Sequence, residues 1–137
     1  PGSLYTSILP NLLVRGIADA LSRSSAPSVY VCNVATEMGE TQGFCVADHL
    51  ATLQRHTFAS IADFVIADDM PRHLGPRFEG QSVLSDGKSL IHAELVLAQL
   101  TDSDHPVRHD AEKLAHTVLD VGRRARRNGG ALSSAVK

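Results

Sequence analysis

Residues 28–34 read Ser-Val-Tyr-Val-Cys-Asn-Val. The run is β-branched and nearly continuous in apolar character. A strand with one wet face alternates polar and apolar side chains, whereas a strand covered on both faces does not. The run therefore predicts a buried strand of a mostly parallel sheet, and such a sheet needs helices on its faces.

The rest of the chain supplies the partners. Residues 4–13 read as a short helical segment interrupted at Pro10, and residues 16–22 as a helix with Ile17, Ala20 and Leu21 on one side. Residues 24–27 make a loop, and residues 36–43, with two glycines, another. Residues 46–56 are helical, with Val46, Leu50 and Leu53 on one face. Residues 64–67 form a second strand that ends in Asp68-Asp69, and residues 70–80 are a loop. A short strand is expected at 82–85 and a better one at 93–100. Asp110 is placed as the N-cap of a last helix running to Arg124, with Leu114, Val118 and Val121 as its buried stripe. The fold class is α/β. The 137 residues suffice for one core, and with no Trp and 4% aromatics that core is built from Leu, Val, Ile and Ala.

Charge is unevenly spread. Five of the thirteen basic residues (Arg123, Arg124, Arg126, Arg127 and Lys137) lie beyond Gly122 with no acid among them. Residues 1–122 then hold eight basic against fifteen acidic residues, a charge of −7. Such a body is a poor nucleic-acid binder, because phosphate contacts need a basic face. Residues 1–122 are read as the domain and 123–137 as a basic, Gly/Ser-containing flexible tail. Cys32 and Cys45 make no disulfide framework and fit no zinc spacing, so a reducing, cytoplasmic setting is the expectation. Cys32 reads as a small buried hydrophobe. No apolar run is long enough to span a membrane, so no membrane insertion is expected.

In parallel sheets ligands sit where loops leave the C-terminal strand ends. Gly2, Ser3, Thr6 and Ser7 have the makings of an anion cradle at a helix start, although a Ser there is commonly just a cap. Asn33 puts an amide at a strand end, and the loop after it carries Glu40 flanked by Gly39 and Thr41. These groups either grip a base or ribose or simply hold a turn. His105 and His109 are four apart with Pro106 between them, and read as surface histidines at a helix start rather than a zinc site. Asp48-His49, inside a helix, reads as packing or surface. Arg108, beside the Asp110 cap, is placed to meet a phosphate.

These residues resemble a known family. Residues 2–14, GSLYTSILPNLLV, with Gly16-Ile17 after them, are similar to a GPGSLYTS-x-x-PNLLV-x-GI segment of bacterial YvcK-type proteins, the gluconeogenesis factors of the CofD-like family. Residues 29–34, Thr36, Gly39-Glu40-Thr41 and Gly43 resemble the same family's CN and GET stretch. Asp48-His49-Leu50 and Arg108-His109-Asp110 match its later motifs in order. The chain departs from the pattern at Ala35 (usually Met), Glu37 (usually Gln) and Phe44 (often Tyr). A first strand and a Gly-rich turn of the family pattern are absent, so the chain is read as roughly the C-terminal half of the family fold. On this reading Pro1-Gly2-Ser3 is the end of a ligand loop rather than a tag remnant.

The resemblance implies a Rossmann-like three-layer α/β sandwich and a cytoplasmic, nucleotide-sugar-binding regulatory protein. Its ligand would be like UDP-GlcNAc, or NADP, and it would support cell shape and wall synthesis during gluconeogenic growth. The resemblance makes Gly2, Ser3, Tyr5, Thr6, Asn33, Glu40, Thr41, Phe78 and Arg108 the ligand-binding residues, with Phe78 where a Tyr is usual. It assigns no catalytic residue and no metal ligand. The implied partners are the ligand, the N-terminal half of the same fold, a regulated enzyme, and a second copy of the chain. A second reading is a CofD-type 2-phospho-L-lactate transferase acting on a deazaflavin with a divalent metal. A third is a non-binding scaffold domain.

Overall fold

The parallel sheet is present, but its fully covered strand is the second one. In the computed structural model, which describes residues 2–134 except 72, 77 and 88, three strands lie in the order β1 (Val29–Val31), β2 (Phe64–Asp68), β3 (Glu94–Ala98). Both pairings are parallel, with Val29 opposite Phe64 and Phe64 opposite Glu94. Among the described residues four α-helices accompany them: α1 (Leu9–Leu12), α2 (Arg15–Arg23), α3 (Val46–His56) and α4 (Ala111–Ser134). No helix among the described residues is long and apolar enough to cross a membrane.

Every residue of β2 is buried. Its alternate side chains feed two cores. Val65 and Ala67, with Tyr30 and Cys32, pack against Leu4, Leu9, Val46, Leu50 and Leu53. Phe64 and Ile66, with Val29, Val96 and Ala98, pack against Leu114, Val121 and Ala125 of α4. The result is the expected three-layer α/β arrangement, with α1 and α3 on one face of the sheet and α4 on the other. Each fully buried Val, Leu or Ile contributes on the order of 1.5–3 kcal/mol by leaving water.

Several expected elements come out differently. The strand expected over 28–34 is regular only over Val29–Val31, with the Cys32 N–H continuing the ladder to the Ile66 carbonyl at 2.9 Å. Residues 82–85 form no strand, and a single antiparallel bridge joins Ala35 and Ser82. The Thr36 N–H donates to the Gln81 carbonyl at 2.8 Å and the Val83 N–H to the Val34 carbonyl at 3.0 Å, so this segment lies alongside the chain leaving β1. Pro10 does not interrupt its helix. A π-helical turn, Leu4–Ile8, runs into α1, and Pro10 stands in the first turn of α1, where a missing N–H costs little.

The last helix is also longer than expected. Asp110 caps it, accepting from the Glu112 and Lys113 N–H groups at 3.0 Å each. Its buried stripe is Leu114, Val121 and Ala125, while Val118 is exposed. The helix passes Gly122 and continues to Ser134, so the flexible tail expected from residue 123 is helix for most of its length. Arg and Ala, which dominate residues 123–127, favour this. Arg123 pairs with Asp120 at 3.0 Å, and Arg124 pairs with Glu94 on β3. Residues 135–137 of that tail, and Pro1 of the first loop, lie outside the described residues.

One core position is polar. His49, on the inner face of α3, is 0% exposed. Its Nδ1 lies 2.9 Å from the Cys45 carbonyl, which can only accept, so the proton sits on Nδ1. Nε2 is then a bare lone pair with no partner. The Phe44 ring stands edge-on at 5.5 Å. Burial pushes the His49 pKa down, against the Cys45 carbonyl and the Asp48 carboxylate, which pull it up. The native state therefore holds His49 neutral, while the unfolded chain takes up a proton below about pH 6.5. Stability falls as pH falls through that value. His49→Leu should flatten, without abolishing, the loss of melting temperature between about pH 7.5 and 5.5, since His109 is lowered in the same direction.

Gly80 is held in a tight place. A Cβ there would lie 2.2 Å from the Thr36 carbonyl oxygen and 2.5 Å from the Phe78 ring. Gly80→Ala must push the 80–83 segment off the 34–36 segment. It should cost about 1–3 kcal/mol in denaturant unfolding, the usual range for overpacking.

Candidate functional site

The three strands end together, and the segments leaving them meet at one edge. β1 leads into Asn33, β2 ends on Asp68, and β3 leads into Leu100 and Thr101. Asp68 is 5% exposed; its carboxylate accepts from the Thr101 hydroxyl and, at 3.2 Å, from the Met70 N–H. The chain then makes a closed loop from Thr101 to Asp110. The Asp102 carboxylate accepts from the Asp104 and His105 N–H groups at 2.7 and 3.0 Å, which holds it below the usual carboxylate range. The Asp102 N–H donates to the Arg108 carbonyl at 3.0 Å, and the Asp110 N–H to the Leu100 carbonyl at 2.7 Å. This loop presents Arg108 and His109 over the strand ends.

A cleft of about 510 Å³ opens there, lined among others by Asn33, Glu37, Phe78, Val107, Arg108 and His109. Of the expected site residues, the structure brings Asn33, Phe78 and Arg108 together in it. Arg108 is exposed, and among the described residues no acid pairs with it. Gly2 adjoins the cleft, its carbonyl accepting from Asn33 Nδ2 at 3.3 Å. Ser3 and Glu40 are joined by a hydrogen bond from hydroxyl to carboxylate, and Ser3 also accepts from the Thr6 N–H at 3.3 Å. The hydroxyl expected to cradle an anion is thus engaged within the protein.

The remaining residues sit elsewhere. Thr41 is 3% exposed, and its hydroxyl accepts from the Glu37 N–H at 2.9 Å, which closes the 37–41 turn. Tyr5 and Thr6 do not line the cleft. Tyr5 lies edge-on to Phe44 at 6.5 Å, on the α3 side. Cys32 is a buried hydrophobe as expected, and burial pushes its thiol up to about 12, which leaves it unreactive at neutral pH.

The sequence places His109 at the surface, and the structure does not. It is half-buried in the cleft wall, and its Nε2 is buried with no partner. Burial pushes its pKa down, opposed by the Cys32 carbonyl and the Asp68 carboxylate. The signal that points to it is its place between Arg108 and the Asp110 cap. A side chain there is carried with the loop to the strand ends. Among the described residues no group of three or more His, Cys, Asp or Glu is placed to hold a metal ion.

Comparison with known proteins bears on this arrangement. A family model described as 2-phospho-L-lactate transferase CofD matches residues 1–125. The gluconeogenesis factor of Halalkalibacterium halodurans is 36% identical over 132 residues, covering 88% of this chain and 40% of that protein. The gluconeogenesis factor of Bacillus subtilis is 34% identical over 133 residues, covering 88% of this chain and 41% of its own length. A crystal structure of a UPF0052 family member from Bacillus halodurans superposes with a TM-score of 0.78 at 33% identity, over 87% of this chain and 41% of that one. The chain thus spans about two fifths of the length of these relatives. With the family match running through both halves of the cleft wall, from Asn33 to Arg108, the chain belongs to the CofD family, in the company of the gluconeogenesis factors.

Proposed function

We propose that the chain contributes the ligand cleft of a nucleotide-sugar-binding regulatory protein, with a ligand of the UDP-GlcNAc kind, that supports cell shape and wall synthesis during gluconeogenic growth in the cytoplasm. The observation that carries the ligand class is the mixed lining of one cleft. A guanidinium with no described acid beside it, Arg108, suits a phosphate. The Asn33 amide oxygen and the Glu37 carboxylate in the same lining accept from hydroxyl or N–H groups. A simple anion would be repelled by Glu37. A ligand with phosphate at one end and hydroxyls at the other uses both kinds of group, and a nucleotide sugar is such a ligand. NADP has the same two kinds of group and is the competing ligand.

Calorimetric titration of the full-length protein with UDP-GlcNAc, NADP and GTP tests this reading, and absence of binding by all three would sink it. The family description favours a second reading, 2-phospho-L-lactate transfer to a deazaflavin. Formation of the transferred product in an assay with that acceptor would establish it. Arg108→Ala should weaken UDP-GlcNAc at least about tenfold, the weight of a charged hydrogen bond. Its melting temperature should stay unchanged, because no described acid loses a partner. A large fall in melting temperature at unaltered affinity would remove Arg108 from the site.

The partner we infer for the fold itself is further chain of the same, longer protein. β1 is an outer strand of the sheet, and α2 buries none of its residues. Ile17 and Leu21 of α2, with Leu13 and Val14 before it, are exposed. The relatives are about two and a half times as long as the stretch they share with this chain. Amide exchange should show Val29–Val31 and Arg15–Arg23 markedly more protected in the full-length protein than in residues 1–137 alone. Equal exchange in both would overturn the packing.

A further inference from the structure

Two buried polar atoms in the cleft wall have no partner: Asn33 Oδ1 and His109 Nε2. Buried polar groups in folded proteins are nearly always hydrogen-bonded, so each orphan asks for something that arrives from outside. Both sit at the C-terminal edge of the sheet, in the lining that also carries Arg108.

The two atoms restrict what arrives. Asn33 is oriented by its Nδ2, which donates to the Gly2 carbonyl, so the orphaned oxygen can only accept. His109 is held towards its neutral form by burial, and a neutral ring nitrogen either donates or accepts, according to the tautomer. A carboxylate or phosphate cannot serve Asn33, because it brings no proton to donate. An ammonium would place a second cation in the lining that already carries the Arg108 guanidinium. A hydroxyl donates to the one and meets the other in either tautomer.

We propose that Asn33 and His109 form the floor of the cleft and bind hydroxyl groups of a sugar ring, while Arg108 holds the phosphate. This rests on the nucleotide-sugar reading and adds to it which residues select the sugar. His109 is here a specificity residue, with no proton transferred. The hydroxyls belong either to a ribose or to a hexose, and a series of three uridine ligands tells them apart.

The test is calorimetry on the full-length protein with UDP-GlcNAc, UDP and 2′-deoxy-UDP, comparing wild type with His109→Phe and His109→Gln. Phe keeps the ring and removes the polar atoms, whereas Gln restores a donor and an acceptor. His109→Phe should lose about tenfold in affinity for UDP-GlcNAc, and His109→Gln should recover most of it. A penalty that appears with UDP and vanishes with 2′-deoxy-UDP assigns the ribose. A penalty confined to UDP-GlcNAc assigns the hexose. Equal penalties on all three that His109→Gln recovers assign the ribose 3′-hydroxyl, which all three keep. Equal penalties that His109→Gln does not recover, or none on any, overturn the inference while leaving the nucleotide-sugar reading in place. No binding by the wild type removes both.

A wild-type measurement guards against a variant that fails to fold. In protein labelled with ¹⁵N-histidine, the His109 Nε2 resonance should move when UDP-GlcNAc is added. A histidine that only packs the wall would leave it where it was, and that result also overturns the inference.

Discussion

The structure depends on one constraint: β2 has no water on either face. Its side chains are shared alternately between two cores, so a slip of one residue in its pairing would exchange the contents of both. That fixes the register of β1 and β3 against it. Fixing the register brings the three strand ends level, and with them Asn33, Asp68 and the start of the Thr101–Asp110 loop. The cleft results from the burial of a strand that contributes no residue to its lining.

Asp68 marks where apolar packing gives way to chemistry. It is the last residue of β2 and is buried, yet it is spent on the Thr101 hydroxyl and the Met70 N–H. Thr101 is in turn bridged to His109 across the loop. The polar layer beneath the cleft is therefore anchored to the covered strand by side chains that hold the backbone. Networks of this kind fix geometry when their members are satisfied. The two orphans, Asn33 Oδ1 and His109 Nε2, belong to residues of the cleft lining above that layer.

The layers are legible in the sequence because they rest on periodicity. Val46, Leu50 and Leu53 share a helix face by spacing alone, and a four-residue apolar run ending in two acids needs no partner to read as a strand. The places where the reading fails depend on tertiary contact. Residues 82–85 have strand character, but only Ser82 finds a bridge, because the segment meets irregular chain at 34–36. Val118 has the right spacing for a buried stripe, yet the line of contact along α4 runs through Leu114, Val121 and Ala125. His109 is missed for the same reason: its burial is conferred by a loop whose shape comes from Asp102 accepting two N–H groups and from two backbone bonds across the loop. Spacing along a chain carries no record of such a loop. Ser3 shows the converse. Its hydroxyl is legible as a cradle, and only the fold reveals that Glu40 already occupies it.

The acid-rich body and the Arg108 guanidinium of the cleft fit together once distance is considered. Residues 1–122 carry −7, which should repel phosphate. At physiological ionic strength, however, exposed charges are largely screened beyond about 8 Å. A small ligand in the cleft therefore feels Arg108 and Glu37, which line it, more than the distant acids. A polyanion cannot escape them in this way, because it must lie across many screening lengths of a body in which acids outnumber bases fifteen to eight. On the proposed reading, the charge pattern that disfavours nucleic acid still leaves a site for a ligand with one or two phosphates. On that reading the acid inside the lining favours ligands whose remaining groups are hydroxyls.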